Sequence, residues 1–420
     1  MNPDSHTEKT LPRWLFFVRD CVPIVLCAIA GFLSAFTVSF VGLLPVGELV
    51  LAIICPFVLV RLIILKGWPA RVQQLGWFRL LLVMIGVMAL GYIGSDLYRG
   101  TAGSNLFRGW ARVGFLALDF VTIAYLIDCS WHRLYVFVFA LYLGNSLNAI
   151  LAGPLAEEWW KFGIGYTLTT LVLFFIAGRA LLFQVILVLA LGALNLILGA
   201  RSLGGICMLT AALLALRYAR GVFRPIAILA ALAVLASIFV AANTVFEKNQ
   251  NPTLASSNNQ ENVLQHSGSD IERQSMIETA LEAFISSPLV GQGSWFTARK
   301  ISRLEEKMAR KDPHFQGYSE EEVQRISIHS QLLVSLAEGG ILGGLFFLVM
   351  GGLLLKTLRT LVNTSMPHRA FLFYLIIAGL WNLCMTPFSG VTRVEIGLAI
   401  CACLLVILQL QGEISEDYRE

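Results

Sequence analysis

Along this chain, apolar runs of fifteen to twenty-odd residues alternate with short clusters of charged or turn-forming residues, and about twelve such runs can be read. They lie at 21–40, 45–65, 80–97, 113–126, 134–151, 162–175, 181–200, 203–216, 225–245, 332–355, 371–387 and 396–410. A helix of about 20 apolar residues crosses the hydrocarbon of a bilayer, and a helix alone satisfies its own backbone there, so each run predicts one membrane-spanning helix. One polar stretch interrupts this rhythm, dividing the chain into spans one to nine (1–245), a soluble-type loop (246–330), and spans ten to twelve with a tail (331–420).

The loop has its own helical pattern. Ser269 and Glu272 are spaced as a capping box, and Ile277, Leu281, Phe284 and Ile285 follow as an apolar stripe that Pro288 and Gly291 end. On this spacing Arg273 shares the face that packs onto the spans. A second helix over about 295–310 places Ile301, Leu304 and Met308 on one side, as a helix lying on the membrane surface would. Ser319 and Glu322 offer another capping box, and the Asn-, Ser- and Gln-rich stretch 249–269 reads as a flexible lead-in.

Composition agrees with the pattern. The chain is 57% hydrophobic and 14% charged, with a mean hydropathy of +0.73, more apolar surface than one soluble core buries. This defines an all-α polytopic integral membrane protein and leaves no basis for a nucleic-acid partner. All eight cysteines fall in or beside apolar runs, which argues against a disulfide framework; Cys401 and Cys403 read as small packing residues. Gly339 with Gly343 and Gly340 with Gly344 have the spacing of close helix approach. The first run is too long for a signal-peptide core. Lys66, Arg71, Arg79, Arg133, Arg179, Arg217, Arg220, Arg224, Lys356, Arg359 and Arg369 bias one side of the spans, which predicts cytoplasmic termini and an outward-facing loop.

Chemistry gathers at that outer side. Arg201 ends the seventh run, where an arginine either reaches the head groups or holds an anion. Arg273 asks for a partner, which could be Glu272, Glu278, a lipid phosphate or a substrate. His329 stands where the loop meets the tenth run; an imidazole titrating near neutrality can take a proton from a hydroxyl, although a helix end also accommodates histidine as a polar terminus. Together they suggest two guanidinium groups on a pyrophosphate with a base beside it. Arg99, Arg108 and Arg112, in an outer loop over 96–112, and Lys161 beside Trp159 and Trp160 would extend the positive surface as secondary substrate contacts. Glu338 and Glu48 read as structural hydrogen-bonding groups. No spacing typical of a metal site occurs, and no cofactor motif is present.

The run Ile328-His329-Ser330-Gln331-Leu332-Leu333 into Leu336-Ala337-Glu338-Gly339-Gly340 resembles the bacterial O-antigen ligase and polymerase superfamily. So do Arg273 ahead of Ser287-Pro288-Leu289-Val290-Gly291-Gln292-Gly293, and Gly199-Ala200-Arg201. The resemblance covers about 162–355. It implies a GT-C-like, metal-independent glycosyltransferase of the inner membrane with its site toward the periplasm. Its donor would be a glycan on undecaprenyl pyrophosphate and its acceptor the lipid A core, with membrane lipids around it. By that likeness Arg201 and Arg273 bind the pyrophosphate and His329 activates the acceptor hydroxyl. A polymerase joining lipid-linked repeats is the alternative, and a lipid or anion transporter the less favoured one, because the ionisable groups gather at one surface rather than at mid-bilayer.

Overall fold

The computed structural model describes residues 13–39, 43–64, 75–152, 159–216, 257–311, 315, 317, 318, 328–366 and 368–412. Within them the chain is helical, as its apolar periodicity requires. The helices are α1 (Arg13–Leu33), α2 (Val46–Ile64), α3 (Gly76–Arg99), α4 (Gly103–Ile127), α5 (Trp131–Ala152), α6 (Trp160–Phe175), α7 (Leu181–Ile197) and α8 (Arg201–Ala215). Then come α9 (Ser257–Ser286), α10 (Phe296–Arg299), α11 (Ile301–Lys311), α12 (Gln331–Asn363), α13 (Arg369–Met385) and α14 (Gly390–Leu410). The expected ninth span, 225–245, and the capping pair Ser319 and Glu322 lie outside the described residues.

Five of the described helices, α3, α4, α5, α12 and α14, are long and apolar enough to cross a membrane, and α1, α2, α6, α7, α8 and α13 contain shorter apolar stretches. α14 and α13 form the centre, with almost every side chain of α14 and of the first two turns of α13 buried. Around them α12 packs on α3, α4 on α14, α1 on α5, and α7 on α8. Glycine permits the closest of these contacts: a Cβ on Gly91 of α3 would come within 2.8 Å of the Gly343 backbone nitrogen of α12.

Several boundaries differ from the sequence reading. The first helix ends at Leu33 rather than running to residue 40, and Thr37–Ser39 pairs antiparallel with Leu43–Pro45 in a small ribbon that reverses the chain into α2. The supposed outer loop over 96–112 is almost entirely helix, because α3 runs to Arg99 and α4 begins at Gly103. α6 opens with a π-helical turn, Trp160–Ile164, which sets the Trp160 indole to donate to Asn195 Oδ1 at 2.9 Å.

α12 is the largest departure. Its 33 residues measure about 50 Å, well beyond a hydrocarbon core of about 30 Å. The helix is broken at Gly340, whose φ of 65° and ψ of −161° lie where only glycine is at ease. Residues 341–363, about 35 Å, suffice to span, so the first nine residues form a separate short arm.

α2, α4 and α14 are tied by charge as well as by packing. Arg393 donates to both oxygens of buried Glu48, at 2.9 and 2.7 Å, beside Asp119. Removing one partner of a buried pair strands the other, so Arg393→Ala is expected to cost about 3–5 kcal/mol. The melting midpoint of detergent-purified protein measures this, and an unchanged midpoint would refute it.

Candidate functional site

Two polar constructions share the end of the bundle at which α9, α10 and α11 sit. The first is a buried knot at the break in α12. The segment after α9, Ser287 to Trp295, is laid along residues 337–341 as a backbone seam. Gln292 N–H donates to Ala337 O at 2.8 Å, Gly293 N–H to Glu338 O at 3.0 Å, and Ile341 N–H to Pro288 O at 2.8 Å. The break in the helix is what frees these carbonyl and amide groups for pairing. Gly291 and Gly340 face each other across the seam so closely that a Cβ on either would collide with the opposing backbone.

Side chains of α3 and α4 complete the knot. Ser95 Oγ donates to Glu338 O at 2.6 Å and accepts from Gly293 N–H at 2.7 Å. Asp96 accepts from the Ser294 N–H and hydroxyl and from the Trp110 indole. Glu338 accepts from the Trp295 N–H at 2.8 Å, Tyr92 OH at 3.0 Å and Arg112 at 2.9 Å. Arg112, only 4% exposed, also lies 4.1 Å over the Trp295 ring. Along α3 the rise from Trp77, which carries Lys356 on its face, to Asp96 is about 28 Å, so the knot stands one hydrocarbon thickness from the Lys356 end.

The second construction is the head of α12. Ser330 caps the helix by accepting from Leu333 N–H at 3.2 Å, and its hydroxyl reaches Leu383 O at the end of α13. His329 precedes the cap and is half-buried. Burial lowers its pKa below the ordinary histidine value, and the nearby Arg273 charge lowers it further, so the imidazole is neutral near pH 7 and free to accept a proton. Arg201 is the first residue of α8, a helix packed on α13, where its cation adds to the positive helix end. Arg201, Ser202, Tyr166, Asn382, Glu395 and His329 all keep partial access, while the adjacent Leu203, Ile328 and Val394 are fully buried. These partly accessible polar groups among buried neighbours form the candidate site.

The sequence-derived residues thus separate into two groups. The structure brings Arg273 into electrostatic reach of His329 and sets Arg201 at the start of α8, which packs on α13. Arg99 instead binds the seam, donating to Gly291 O at 3.0 Å and Ser287 Oγ at 2.7 Å, and Arg112 belongs to Glu338. Arg108 lies 5.8 Å from the Trp295 ring centre, and Lys161 packs over Phe162. Glu338 and Glu48 both serve structure through charge-assisted bonds, as their positions suggested.

The loop helices are oriented differently from expectation. α9 begins at Ser257 and runs on past residue 269, so the helix starts well before the expected box, and Glu272 accepts from Tyr318 OH. Its buried face is Ser275, Met276, Thr279, Ala280 and Ala283, small residues that let it settle on α12 and α11, while Leu281 and Ile285 face outward. Arg273 is exposed rather than on the buried face. α11 turns Leu304 and Met308 inward, and Lys307 and Lys311 pair with Glu282 and Glu278 of α9; its apolar side covers protein rather than membrane.

Among the described residues, no group of three or more His, Cys, Asp or Glu side chains is placed to hold a metal ion. Asp96, Ser95 and Trp295 escaped the sequence reading, although an aspartate inside an apolar run was a signal for the first. Glu395 and Asn382 escaped it as well.

Fold and site define a helical membrane protein with polar and cationic groups gathered at one end of its bundle. Residues 168–348, which include Arg201, Arg273, His329 and the whole seam, match the family model described as O-Antigen ligase. The match supports an activity of the O-antigen ligase or polymerase type, that of a membrane glycosyltransferase. Among curated proteins none matches the chain.

Proposed function

We propose that this protein is an O-antigen ligase that transfers a glycan from undecaprenyl pyrophosphate to the lipid A core at the periplasmic face of the inner membrane. The observation that supports the reading is that the Arg273 charge acts on His329, 56 positions away along the chain, at the head of α12, while Arg201 opens α8, which packs on α13. Two permanent cations suit a diphosphate, and a neutral imidazole suits a hydroxyl that must lose its proton.

In this mechanism Arg201 and Arg273 hold the pyrophosphate. His329 removes the proton from the acceptor hydroxyl, whose oxygen attacks the anomeric carbon while the bond to the pyrophosphate oxygen breaks. The configuration inverts, and the diphosphate leaves on its lipid with its charge stabilised by the two guanidinium groups. His329 then passes its proton to water. In this reading 1–245 carries spans one to nine, 246–330 is the periplasmic loop, and 331–420 carries spans ten to twelve and a cytoplasmic tail, with both termini cytoplasmic.

Purified protein incubated without added metal, with lipid-linked glycan and either lipid A core or a second lipid-linked glycan, tests the reading. The expected product is glycan on lipid A core. Elongated lipid-linked glycan would assign a polymerase instead, and no transfer to either would reject the transferase.

A further inference from the structure

We propose that the exposed apolar stripe of α9, Leu281 and Ile285, continued by Leu289 just past the helix end, is a lipid-docking face seated among the acyl chains of the leaflet at this end of the bundle. The inference needs only the membrane-spanning fold and stands apart from the transferase reading.

Exposure is the first argument. Leu281, Ile285 and Leu289 are 46%, 66% and 74% exposed although each is large and apolar, and the four-residue step puts Leu281 and Ile285 on one face of α9. An exposed apolar stripe of this kind marks a surface that a partner or a membrane covers. The same face is polar further up the helix. Gln274 and Glu278, two turns and one turn before Leu281, are hydrogen-bonded to each other, and Glu278 is paired with Lys311. The change from polar to apolar falls between Glu278 and Leu281, as it does where a helix passes from water into hydrocarbon.

Continuity is the second. Leu289 lies beside the exposed Ile341, because Ile341 N–H donates to Pro288 O, and Ile341 opens the part of α12 that is long enough to span. On the other side Arg99 holds Ser287 and Gly291 next to Leu97 and Tyr98, both exposed at the end of α3, a helix of membrane length. Leu90 and Val83, one and two heptads before Leu97, are exposed on the same side of α3. The stripe of α9 therefore prolongs a surface that faces lipid.

Depth is the third. α9 runs beside the first nine residues of α12, with the Arg273 charge acting on His329 at one end and Pro288 bonded to Ile341 at the other. This arm is tied to spans near both of its ends: Glu338 O accepts from Ser95 of α3, and Ser330 donates to Leu383 O two residues before α13 ends. It lies across the end of the bundle instead of rising from it, and α9 lies with it. Arg273, eight residues before Leu281 and so about 12 Å along the helix, falls on the water side of the polar-to-apolar boundary, where lipid phosphates are.

The test uses the full chain in vesicles of phosphatidylethanolamine and phosphatidylglycerol, with photoreactive p-benzoylphenylalanine substituted singly for Ile285, Leu289 and, as the control, Gln274. Irradiation is expected to add the mass of one phospholipid at 285 and at 289, attached through an acyl chain, whereas 274 gains none or is attached through the head group. A missing acyl adduct at either position, acyl attachment at 274 as frequent as at 285, or a covalent dimer of the chain in place of the lipid adduct would overturn the proposal. A position that faces lipid accepts a larger ring, so both variants should keep the wild-type melting midpoint. If only one of them folds, that one decides by the same criterion, and if neither folds the stripe is packed against protein and the proposal fails. None of these outcomes depends on glycan transfer, so they leave the transferase reading to its own assay.

Discussion

Replacing His329 with alanine is expected to lower glycan transfer by about 10²–10⁴-fold while lipid-linked donor still binds. The proposed donor contacts, Arg201 and Arg273, remain in that variant, so only the proton acceptor is missing. Because desolvation and then Arg273 hold the His329 pKa below the ordinary histidine value, the imidazole stays neutral, and transfer stays active, to a pH below the usual histidine range. The acid limb of the rate profile should therefore lie below pH ~6.5. Removing the neighbouring cation in Arg273→Gln raises the histidine pKa and should move that limb to higher pH, besides weakening donor binding. A wild-type rate in His329→Ala would eliminate the base, and an acid limb that stays in place in Arg273→Gln would separate the two residues.

The second large effect concerns stability. Glu338→Ala removes the acceptor of three donors and leaves Arg112, itself 4% exposed, as an uncompensated cation, an expected loss of about 3–5 kcal/mol. Glu338→Ala combined with Arg112→Leu should recover a substantial part of this, because a buried ion pair is often replaced by apolar side chains at little cost. Thermal midpoints of the single and double variants in detergent decide the matter. A double variant less stable than Glu338→Ala alone would show that the charge of Arg112 is not what makes the single change costly. Activity should fall along with stability in the single variant, since the same knot places α9 relative to α12.

Much of this was legible in the sequence. Hydrocarbon demands long apolar runs, so the described membrane-length helices stand where the runs are. His329 was legible as a titratable group at the junction of loop and span. The break at Gly340 was not: a glycine pair in an apolar run reads as helix packing, and only contact with the Pro288–Leu289 backbone reveals that the helix opens there. The orientation of α9 was misread because Ile277, Leu281 and Ile285 form the more apolar stripe, whereas the helix buries its smaller residues to come close to α12. Arg99 and Arg112 were indistinguishable from substrate-binding arginines, because the partners that claim them, Gly291 O and Glu338, are about 190 and 226 positions away. Glu395 could have been noticed as a carboxylate in an apolar setting, but it fell just before the last run and was passed over.

The seam at the α12 break carries one more implication. α9, which carries Arg273, and the head of α12, which carries His329, both lead into the same seam, where 288–293 is hydrogen-bonded to 337–341. A change on one side of this seam without a matching change on the other would shift the register between the two helices, so Ser287 to Trp295 and its receiving helix are expected to vary together among related proteins.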